Sequence, residues 1–426
     1  MSDRARHTAA MRVALMTAGS RGDVAPYTGL GHGLAAAGHR VTLVTHARFA
    51  PLAADAGIGF RPLPVDPRAE LASARGQGLH RSRGGAAKFA RVVAMARGLV
   101  GEMADGLLDA AQDQDVLLVS GSLGPLGHTI GAGLGRPTVG VYLQPLAATA
   151  EFGPPVLGAR GYGAAGNLLA GRVVGAAVDA IFADTVRRLR TRLGLPPSRT
   201  RAARRARERQ DWPVLHGFSE LVVPRPRDWR PGLRVAGYWW PYCPPAGRLP
   251  CRVEEFLAAG PAPVFVGLGS ATVPDPDRLS RELVAALRAA GLRGVMQRGW
   301  SDLAADGEDM LTVDELPHGL LFPRMAAVVH HAGAGTTAAA LRAGVPAVPL
   351  PVQFDAGFWA DRLVGLGVAP TAIPLRRLAS PSLAAALRRV VDDPGYRRRA
   401  AALAAGLRAE DGVGPVLSAL DGIADA

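Results

Sequence analysis

The sequence predicts an α/β protein built from two doubly wound domains, each with a parallel β-sheet. Short apolar runs of strand length alternate with longer helical segments in both halves of the chain, which is the pattern of βαβ units. The first series starts at Met11 and the second at Pro263. In each series an apolar run ends in a glycine-containing turn, the place where ligands bind in this class of fold.

Length and composition agree with this organisation. The chain has 426 residues, of which 48% are hydrophobic and 20% charged, as expected for a globular protein with two or three domains. We predict an N-terminal domain over residues 1–223, a linker rich in proline and aromatic residues over 224–251, and a second domain over 252–409. Residues 410–426 are expected to form a C-terminal helix that can pack back on the first domain.

The alternation of apolar and helical segments predicts the elements in order. In the first domain, strands are predicted at 11–16, 41–45, 58–63, 115–120 and 137–142, and helices at 25–37, 68–112 and 127–134. In the second domain, strands are predicted at 263–268, 294–297, 310–313, 326–329 and 347–350, and helices at 275–290, from 336 onward, and within 380–409. Residues 145–178 are apolar and glycine-rich, and they predict only a loose segment.

Arginine gives the chain a formal net charge of +13, and the densest run lies between Arg187 and Arg209. This run has no interleaved aromatic residues and matches no nucleic-acid reader motif, so we predict no nucleic-acid partner. A solvated helix face explains the run, and a surface that meets anionic membranes or anionic donors is the alternative.

Cysteine usage and hydropathy bear on the cellular location. Cys243 and Cys251 have no metal-ligand spacing, and nothing in the sequence requires a disulfide between them. No apolar run reaches the roughly 18 residues of a membrane span, and residues 1–10 lack the apolar core of a signal peptide. We therefore predict a cytoplasmic protein with no transmembrane segment and at most a peripheral contact with membranes.

The most informative stretch is the predicted strand 326–329, the turn 330–335 and the helix that starts at Thr336. Glycines let a ligand approach the backbone closely, and the first turn of a helix offers unpaired N–H groups and a partial positive charge to phosphate. His331 adds a donor, and Asp355 follows the next strand, within reach of sugar hydroxyls. The unit predicts a site for a nucleotide that carries a sugar. A glycine-containing βα turn without this function is the alternative.

Two stretches of the sequence resemble a known family. HHAGAGTTAAALRAGVP…FDAGFWADR is similar to the donor-binding signature of glycosyltransferase family 1, in its bacterial and sterol-glycosylating branch, and GSRGDVAPY is similar to the N-terminal signature of that branch. The resemblance covers about residues 11–60 and 212–410. It implies the GT-B fold, in which two doubly wound domains face a cleft. In this fold residues 1–223 would be the acceptor-binding domain and residues 252–409 the domain that binds the nucleotide-sugar donor. It also implies transfer of a sugar from a UDP- or dTDP-linked donor to a hydroxyl of a lipophilic small molecule, such as a macrolide or other polyketide natural product, or a sterol.

The same resemblance implies roles for individual residues. A serine in a G-F-G-S type turn approaches the diphosphate, a tryptophan in a G-W turn lies near the nucleobase, and an aspartate binds the sugar. The implied donor-binding residues are Ser270, Trp300, Val313, His331, Gly333, Gly335, Thr336, Asp355 and Ala356. The nucleotide sugar is a co-substrate, so we expect no cofactor. We expect no metal site.

Asp23 is the expected catalytic base, because it occupies the position where many relatives have the histidine of a G-H-x-x-P pattern. It would take the proton of the acceptor hydroxyl on the face opposite the leaving group, which implies inversion at the sugar. The alternative is that Asp23 only caps the N-terminus of a helix. His128 is expected to be structural, and it is the next base to test if Asp23 is not one.

One position departs from the family pattern. Relatives have an Asp-Gln pair where this chain has Asp355 and Ala356, and the glutamine amide of relatives faces the C2/C3 side of a glucose donor. Its loss removes hydrogen bonds worth about 0.5–1.5 kcal/mol each and is expected to open space, so the donor can carry an N-acetyl group at C2 or lack a hydroxyl there. Two other functions stay open: a nucleotide-sugar epimerase, and a non-catalytic helper of another glycosyltransferase.

Overall fold

The predicted parallel sheets are both present. The computed structural model describes residues 10–65, 86–352 and 354–425, and of residues 86–96 only the backbone. The first sheet has seven parallel strands in the order β3-β2-β1-β4-β5-β6-β7. These strands are β1 Arg12–Met16, β2 Arg40–His46, β3 Gly59–Leu63, β4 Val116–Val119, β5 Thr138–Tyr142, β6 Val214–His216 and β7 Leu233–Val235.

The second sheet has five parallel strands in the order β10-β9-β8-β11-β12. These strands are β8 Val264–Gly267, β9 Gly294–Gln297, β10 Met310–Val313, β11 Ala327–His330 and β12 Ala347–Pro349. In each sheet the strand order reverses beside a central strand, between β1 and β4 in the first and between β8 and β11 in the second. Ligands bind at the carboxyl ends of the strands at such points, because the loops on either side diverge there and leave a crevice.

Helices connect the strands and cover both sheets. In the first domain they are α1 Arg21–Ala36, α2 Ala50–Asp55, α3 Ala86–Ala111, α4 Gly124–Leu134, α5 Gly163–Arg192 and α6 Thr200–Arg209. In the second they are α7 Cys251–Ala258, α8 Pro276–Ala289, α9 His318–Leu321, α10 Ala334–Ala343, α11 Ala356–Gly365, α12 Ser380–Asp392 and α13 Pro394–Ala409, and α14 Gly414–Ala424 ends the chain. Of the helix predicted over 68–112, residues 68–85 lie outside the described residues. Across the described part of the chain, no helix combines the length and the apolar character needed to cross a bilayer.

Two stretches differ from the sequence-based expectation. Strand β7 lies in the stretch 224–251 that was predicted to be a linker. It pairs with β6, so the first sheet extends past residue 223. The proline and aromatic residues that suggested a linker include the buried side chain of Trp229, which packs beneath this edge. Helix α5 covers half of the segment predicted to be loose. Its many glycines and alanines carry little hydrophobic periodicity, which hides the helix from pattern analysis.

The two domains share buried apolar surface. One cluster contains Phe218 and Tyr238 of the first half together with Leu341, Trp359 and Leu407 of the second. The chain then crosses back, since α14 contributes two fully buried side chains, Val416 and Leu420, to the core of the first domain. Shared cores of this kind hold the two sheets in one arrangement, which positions the loops at their facing edges.

Candidate active site

Two helices from different domains point their N-termini at each other across the cleft. Helix α1 follows β1 of the first sheet, and α10 follows β11 of the second. A Cβ atom added to Gly335, in the first turn of α10, would lie 3.6 Å from the Cα atom of Gly22, in the first turn of α1. The two glycine-containing turns therefore meet in one site, which lies at the points where both sheets reverse their strand order.

Asp23 is held at the N-terminus of α1 by the cap of its own helix. Its Oδ2 atom accepts a hydrogen bond from the backbone N–H of Ser20 at 2.8 Å and another from the Ser20 hydroxyl at 2.9 Å. The helix starts at Arg21 rather than at Ala25, so Ser20 is the N-cap residue and Asp23 the third residue of the helix. In the alternative role, Asp23 would itself be the N-cap residue. The structure contradicts that position, because the Ser-x-x-Asp spacing places the acidic side chain back over the cap residue Ser20.

Gly19 is required by this arrangement. Its φ angle is +143°, and a Cβ atom added there would lie 2.5 Å from Oδ2 of Asp23. A side chain at position 19 would therefore displace the carboxylate from the cap, as well as strain the backbone.

Burial raises the pKa of the Asp23 carboxyl above its usual value, because the protein around it removes water from the charged form. Hydrogen bonds from Ser20 and from the side chain of Gln144 act in the opposite direction and lower the pKa. The net increase makes Asp23 a stronger base for a hydroxyl proton than an exposed aspartate would be.

His46, at the end of β2, fixes the loop between β1 and α1. Its Nε2 atom accepts the backbone N–H of Gly19 at 3.0 Å, and its Nδ1–H donates to the carbonyl of Val65. The hydroxyl of Thr17 donates to the carbonyl of Asp23 at 2.8 Å. The sequence does not predict this role of His46, because its two partners, Gly19 and Val65, are distant along the chain.

The turn before α10 leaves polar groups without partners. Ala332 has a φ of +63° and Gly333 is the N-cap, after which the first helical turn reads Ala-Gly-Thr-Thr. Within the described residues, the buried atoms Nε2 of His330, Nδ1 of His331 and Oγ1 of Thr337 have no hydrogen-bond partner. Buried polar atoms normally find partners, so a cluster of unpaired ones beside a helix N-terminus indicates the place of a polar ligand.

His331 lies between two glycines of the second domain. A Cβ atom on Gly269 would lie 2.8 Å from Cε1 of the ring, and one on Gly333 would lie 2.4 Å from Nε2. Burial lowers the pKa of His331 to about 4, since the cationic form loses hydration. The ring is therefore neutral near pH 7, and it is a hydrogen-bonding group rather than a fixed positive charge.

The other predicted donor-binding residues differ in their accessibility. Ser270 follows β8 and is half-buried, and the backbone N–H of Trp300 donates to the carbonyl of Gly269 at 2.9 Å, which ties the two loops together. The side chain of Val313 is 1% exposed and lies in an apolar cluster of the second domain. Its carbonyl accepts the N–H of Arg298 at 3.0 Å. The side chain of Val313 therefore packs inside the second domain and is not exposed to the cleft. Only its backbone contacts the loop that begins at Arg298.

Asp355 immediately precedes α11 and is fixed by a buried indole. The Nε1–H of Trp359 donates to its Oδ2 atom at 2.8 Å, and Trp359 is fully buried. Burial raises the pKa of Asp355, the bond from Trp359 opposes this, and the negative charge of Asp23 raises the pKa further. The last contribution indicates that the two carboxylates are close enough to interact electrostatically.

The space expected beside Ala356 is not open. Ala356 is 3% exposed and belongs to the apolar cluster shared by the two domains. A Cβ atom on the next residue, Gly357, would lie 3.0 Å from the Cα atom of Gly158 in the first domain. A loop of the first domain therefore covers the first turn of α11.

Two arginines of the first domain contact loops of the second domain. Arg21 pairs with Glu315 at 3.1 Å, and the guanidinium of Arg48 lies 5.4 Å from the ring centre of Trp300. Both partners of the ion pair are about half exposed, so the pair contributes little stability. Within the described residues, no group of three or more histidine, cysteine or acidic side chains is placed to hold a metal ion.

His128 has no part in this site. It lies on α4, half-buried, with its ring 5.6 Å from that of Trp212. Burial, then the charges of Arg207 and Arg190, lower its pKa to about 4. These contacts agree with the expected structural role.

Comparison with known proteins identifies the family to which the chain belongs. Residues 13–103 match the glycosyltransferase family 28 N-terminal domain, and residues 282–417 match the C-terminal domain of erythromycin biosynthesis protein CIII-like proteins. O-mycaminosyltylonolide 6-deoxyallosyltransferase of Streptomyces fradiae is 36% identical over 414 residues, which cover 95% of this chain and 95% of that protein. The chain belongs to the antibiotic and sterol glycosyltransferases. This is the branch that the sequence predicts.

A second relative of this glycosyltransferase is a sterol 3-beta-glucosyltransferase of Arabidopsis thaliana, 30% identical over 424 residues. The match covers 96% of this chain but 65% of the plant protein, so the chain spans about two thirds of that relative. Among solved structures, a glycosyltransferase from Streptomyces sp. SF2575 in complex with thymidine diphosphate has a TM-score of 0.63 at 22% identity. That match covers 96% of this chain and 99% of the other, and it confirms the predicted GT-B fold.

Proposed function

We propose that the chain is an inverting glycosyltransferase that moves a sugar from a UDP- or dTDP-linked donor to a hydroxyl of a lipophilic small molecule. One observation carries this proposal. A carboxylate shielded from water, Asp23, faces a helix N-terminus with unpaired polar atoms across a single cleft. The first group can accept a proton and the second can hold an anion, which are the two requirements of glycosyl transfer from a nucleoside diphosphate.

In the proposed reaction, the diphosphate lies at the N-terminus of α10, beside Ser270 and His331. The acceptor oxygen attacks the anomeric carbon from the side of Asp23, while the bond between that carbon and the phosphate oxygen breaks. The electron pair of the broken bond stays on the diphosphate, where the helix N–H groups stabilise the added charge. The acceptor proton passes to Asp23, and attack opposite the leaving group inverts the anomeric centre.

Asp355 is proposed to bind hydroxyls of the donor sugar. Its Oδ2 atom is already engaged by Trp359, which fixes the direction of the carboxylate and leaves its remaining acceptor capacity for the ligand. We also propose that the reaction needs no metal ion, since the amide groups of α10, Ser270 and His331 can meet the charge of the leaving group. Addition of EDTA should leave the rate unchanged, and a loss restored by Mg²⁺ would contradict this.

The acceptor is proposed to be a macrolide or related polyketide. The relative named for its action on O-mycaminosyltylonolide is 36% identical to this chain, whereas the sterol glucosyltransferase of Arabidopsis thaliana is 30% identical. We further propose a location in a reducing cytoplasm, because Cys243 and Cys251 are both free and exposed. Any contact with a membrane would be peripheral.

The decisive experiment has two stages. First, thermal unfolding is measured with UDP, dTDP and GDP, since a ligand at about 100 times its Kd adds roughly 2.7 kcal/mol to the unfolding free energy. Second, consumption of the matching nucleotide sugar is followed with and without macrolide and sterol acceptors. Acceptor-dependent consumption supports a transferase. Consumption without acceptor that yields an epimeric nucleotide sugar supports an epimerase, and nucleotide binding without turnover supports a helper.

A further inference from the structure

One face of α5 carries aliphatic side chains that the rest of the protein leaves exposed. Leu169 is 63% exposed and Val173 is 60% exposed, and their spacing of four residues places them on the same face of the helix. The buried side chains of the helix include Phe182, Thr185 and Leu189, which lie on the opposite face. The face with Leu169 and Val173 therefore points away from the core of its own domain.

This face continues to the N-terminus of α5. Tyr162 is the N-cap residue and is exposed, with its ring centre 5.6 Å from the guanidinium carbon of Arg160. We call Tyr162, Leu169 and Val173 the outer face of α5. Arg172, which follows Leu169 by three residues, is exposed beside them and forms no ion pair with the described residues. Neighbouring exposed aliphatic side chains, in contrast to single ones, often mark a surface that another molecule covers.

Helix α6 is fixed alongside α5 by a buried ion pair. The Nε–H of Arg204 donates to Oδ2 of Asp179 at 2.9 Å, and Asp179 is buried. A Cβ atom added to Gly175 would lie 3.6 Å from the guanidinium carbon of Arg204, so the two helices pack closely here. Arg204 also pairs with Glu208 at 2.7 Å. These contacts place the exposed side of α6 next to the outer face of α5.

The exposed side of α6 carries three arginines, Arg201, Arg205 and Arg209, at a spacing of four residues. None of them forms an ion pair with the described residues. They line an open depression of about 750 Å³ together with Arg199, Ala202 and Glu208, and Glu208 is already paired with Arg204. Like charges four residues apart on a helix repel each other, so the three arginines form an uncompensated cationic face.

We infer that the outer face of α5 and the cationic face of α6 together dock on a lipid bilayer that contains anionic phospholipid. The arginines of α6 match lipid phosphates in charge, and Leu169 and Val173 can enter the boundary between headgroups and acyl chains. Tyr162 has an apolar ring and a polar hydroxyl, as suits the same boundary. A nucleic acid would use the arginines but leave the aliphatic side chains exposed, and sites for single strands place aromatic rings between the cations.

The surface begins beside the cleft between the domains. The loop that precedes α5 contacts α11, since the ring centres of Phe152 and Phe358 lie 5.3 Å apart. Docking through α5 would therefore hold the cleft close to the bilayer. The inference does not depend on the proposed function. Where that function holds, the cleft would lie close to the phase in which a lipophilic acceptor accumulates.

The test is flotation of the full chain with two kinds of vesicle, phosphatidylcholine alone and equal parts of phosphatidylcholine and phosphatidylglycerol. The wild type should bind the anionic vesicles and bind the neutral ones much more weakly. Its partition coefficient should fall as NaCl is added, because the screening length shrinks from about 30 Å at 0.01 M salt to about 8 Å at 0.15 M. Equal binding to both kinds of vesicle, or binding to neither, would overturn the inference.

The cationic face is removed in a triple variant, Arg201→Gln, Arg205→Gln and Arg209→Gln. Its partition coefficient on anionic vesicles should fall at least tenfold, since each arginine near an anionic surface contributes about fivefold. The matched control has the same change in net charge and removes three exposed arginines of the second domain, Arg376→Gln, Arg377→Gln and Arg398→Gln. The control should lose less than about threefold, because these residues lie outside the docking surface. Equal losses in the two variants contradict the inference.

The outer face of α5 is tested at constant charge. Leu169→Gln combined with Val173→Gln should weaken binding to anionic vesicles about tenfold, because less apolar surface leaves water. Leu221→Gln combined with Val364→Gln changes two exposed apolar residues elsewhere and should have no effect. Unchanged binding in the α5 variant would mean that the arginines adsorb the protein by charge alone, and the inference fails. If the double variant does not fold, Leu169→Gln alone decides.

Duplex DNA serves as the competing ligand. If the wild type binds DNA through the three arginines of α6 and does not bind vesicles, the surface belongs to a nucleic acid and the inference is wrong. Every readout is binding and none is turnover. Failure of the inference is therefore separate from failure of the proposed function, which acceptor-dependent sugar transfer decides.

Discussion

The N-termini of α1 and α10 face each other, but only that of α1 is capped by a carboxylate of its own helix. Helix α1 supplies its own anion, since the carboxylate of Asp23 folds back and accepts the N–H and hydroxyl of Ser20. Helix α10 begins with glycine, alanine and threonine. Three buried side-chain atoms near it, His330 Nε2, His331 Nδ1 and Thr337 Oγ1, have no hydrogen-bond partner among the described residues. A helix N-terminus that carries its own carboxylate can hold a base, whereas one without a carboxylate can receive an external phosphate. On this contrast we base the proposal that the catalytic base lies on one side of the cleft and the donor on the other.

The largest effect is expected from Asp23→Asn, which keeps the shape and a cap acceptor but removes the base. General base catalysis contributes about 10²–10⁴-fold, so kcat should fall by that factor while the Kd of the nucleotide changes little. Steady-state kinetics and calorimetry measure the two quantities. Asp184→Asn, which removes only a surface partner of Arg187, is the control. Turnover within about threefold of the wild type would leave Asp23 with no role beyond the helix cap.

The complementary change on the other side is His331→Ala. It removes a hydrogen-bonding group from the phosphate turn, and a bond to a charged group contributes about 1.5–3 kcal/mol, so nucleotide binding should weaken about 10–100-fold. Transfer at limiting donor should slow in parallel. His128→Ala, which alters a histidine packed on Trp212 away from the cleft, should leave the nucleotide Kd unchanged. Full activity of His331→Ala at limiting donor would show that the diphosphate lies elsewhere.

The pH dependence of the rate should report the state of Asp23. Its pKa is raised, and only the ionised form accepts a proton, so kcat should fall as the pH decreases through that raised value. Ser20→Ala removes a hydrogen bond that lowers this pKa, and it should therefore move the acidic limb of the rate profile to higher pH. An acidic limb at the same pH in both proteins would mean that another group controls the rate.

The smallest effect is expected at Ala332, whose φ of +63° is one that glycine adopts without cost. Ala332→Gly should relieve about 1–2 kcal/mol of backbone strain. It should also lose about 0.8 kcal/mol for a buried methyl group and about 0.5–1 kcal/mol for the greater entropy of unfolded glycine. Urea unfolding should therefore show a change below about 1 kcal/mol. A destabilisation above 2 kcal/mol would mean that the packing of this methyl group outweighs the strain.

The glycine-containing turn before α10 could be predicted from the sequence, whereas the contacts between the two domains could not, for a physical reason. A phosphate turn needs small residues at fixed spacing, so the arrangement around His331, Gly333 and Gly335 is visible as a pattern. The loop around residues 152–158 contacts α11 through residues that lie about 200 positions apart in the sequence, as in Phe152 with Phe358. No local sequence pattern predicts such contacts. The closed space beside Ala356 went unpredicted for the same reason, since the atoms that fill it come from the other domain.

Local hydrogen-bond chemistry accounts for the shifted start of α1. The hydrophobic pattern predicted a helix from Ala25, but the cap formed by Ser20 and Asp23 extends it back to Arg21. The first turn of α1 is polar and shows no hydrophobic periodicity, so only its capping residues predict that it is helical. The difference matters for the site, because it places the carboxylate of Asp23 over the helix end.

The return of the chain to the first domain limits how the enzyme can be recombined. Val413 packs against Gly33, and the indole N–H of Trp239 donates to the carbonyl of Gly412 at 2.7 Å, so α14 is part of the acceptor domain although it follows the donor domain in sequence. A chimera made by one crossover in the linker would pair each acceptor domain with a foreign terminal helix. A functional exchange of donor specificity needs two crossovers, which replace residues 252–409 and leave α14 with its native partner.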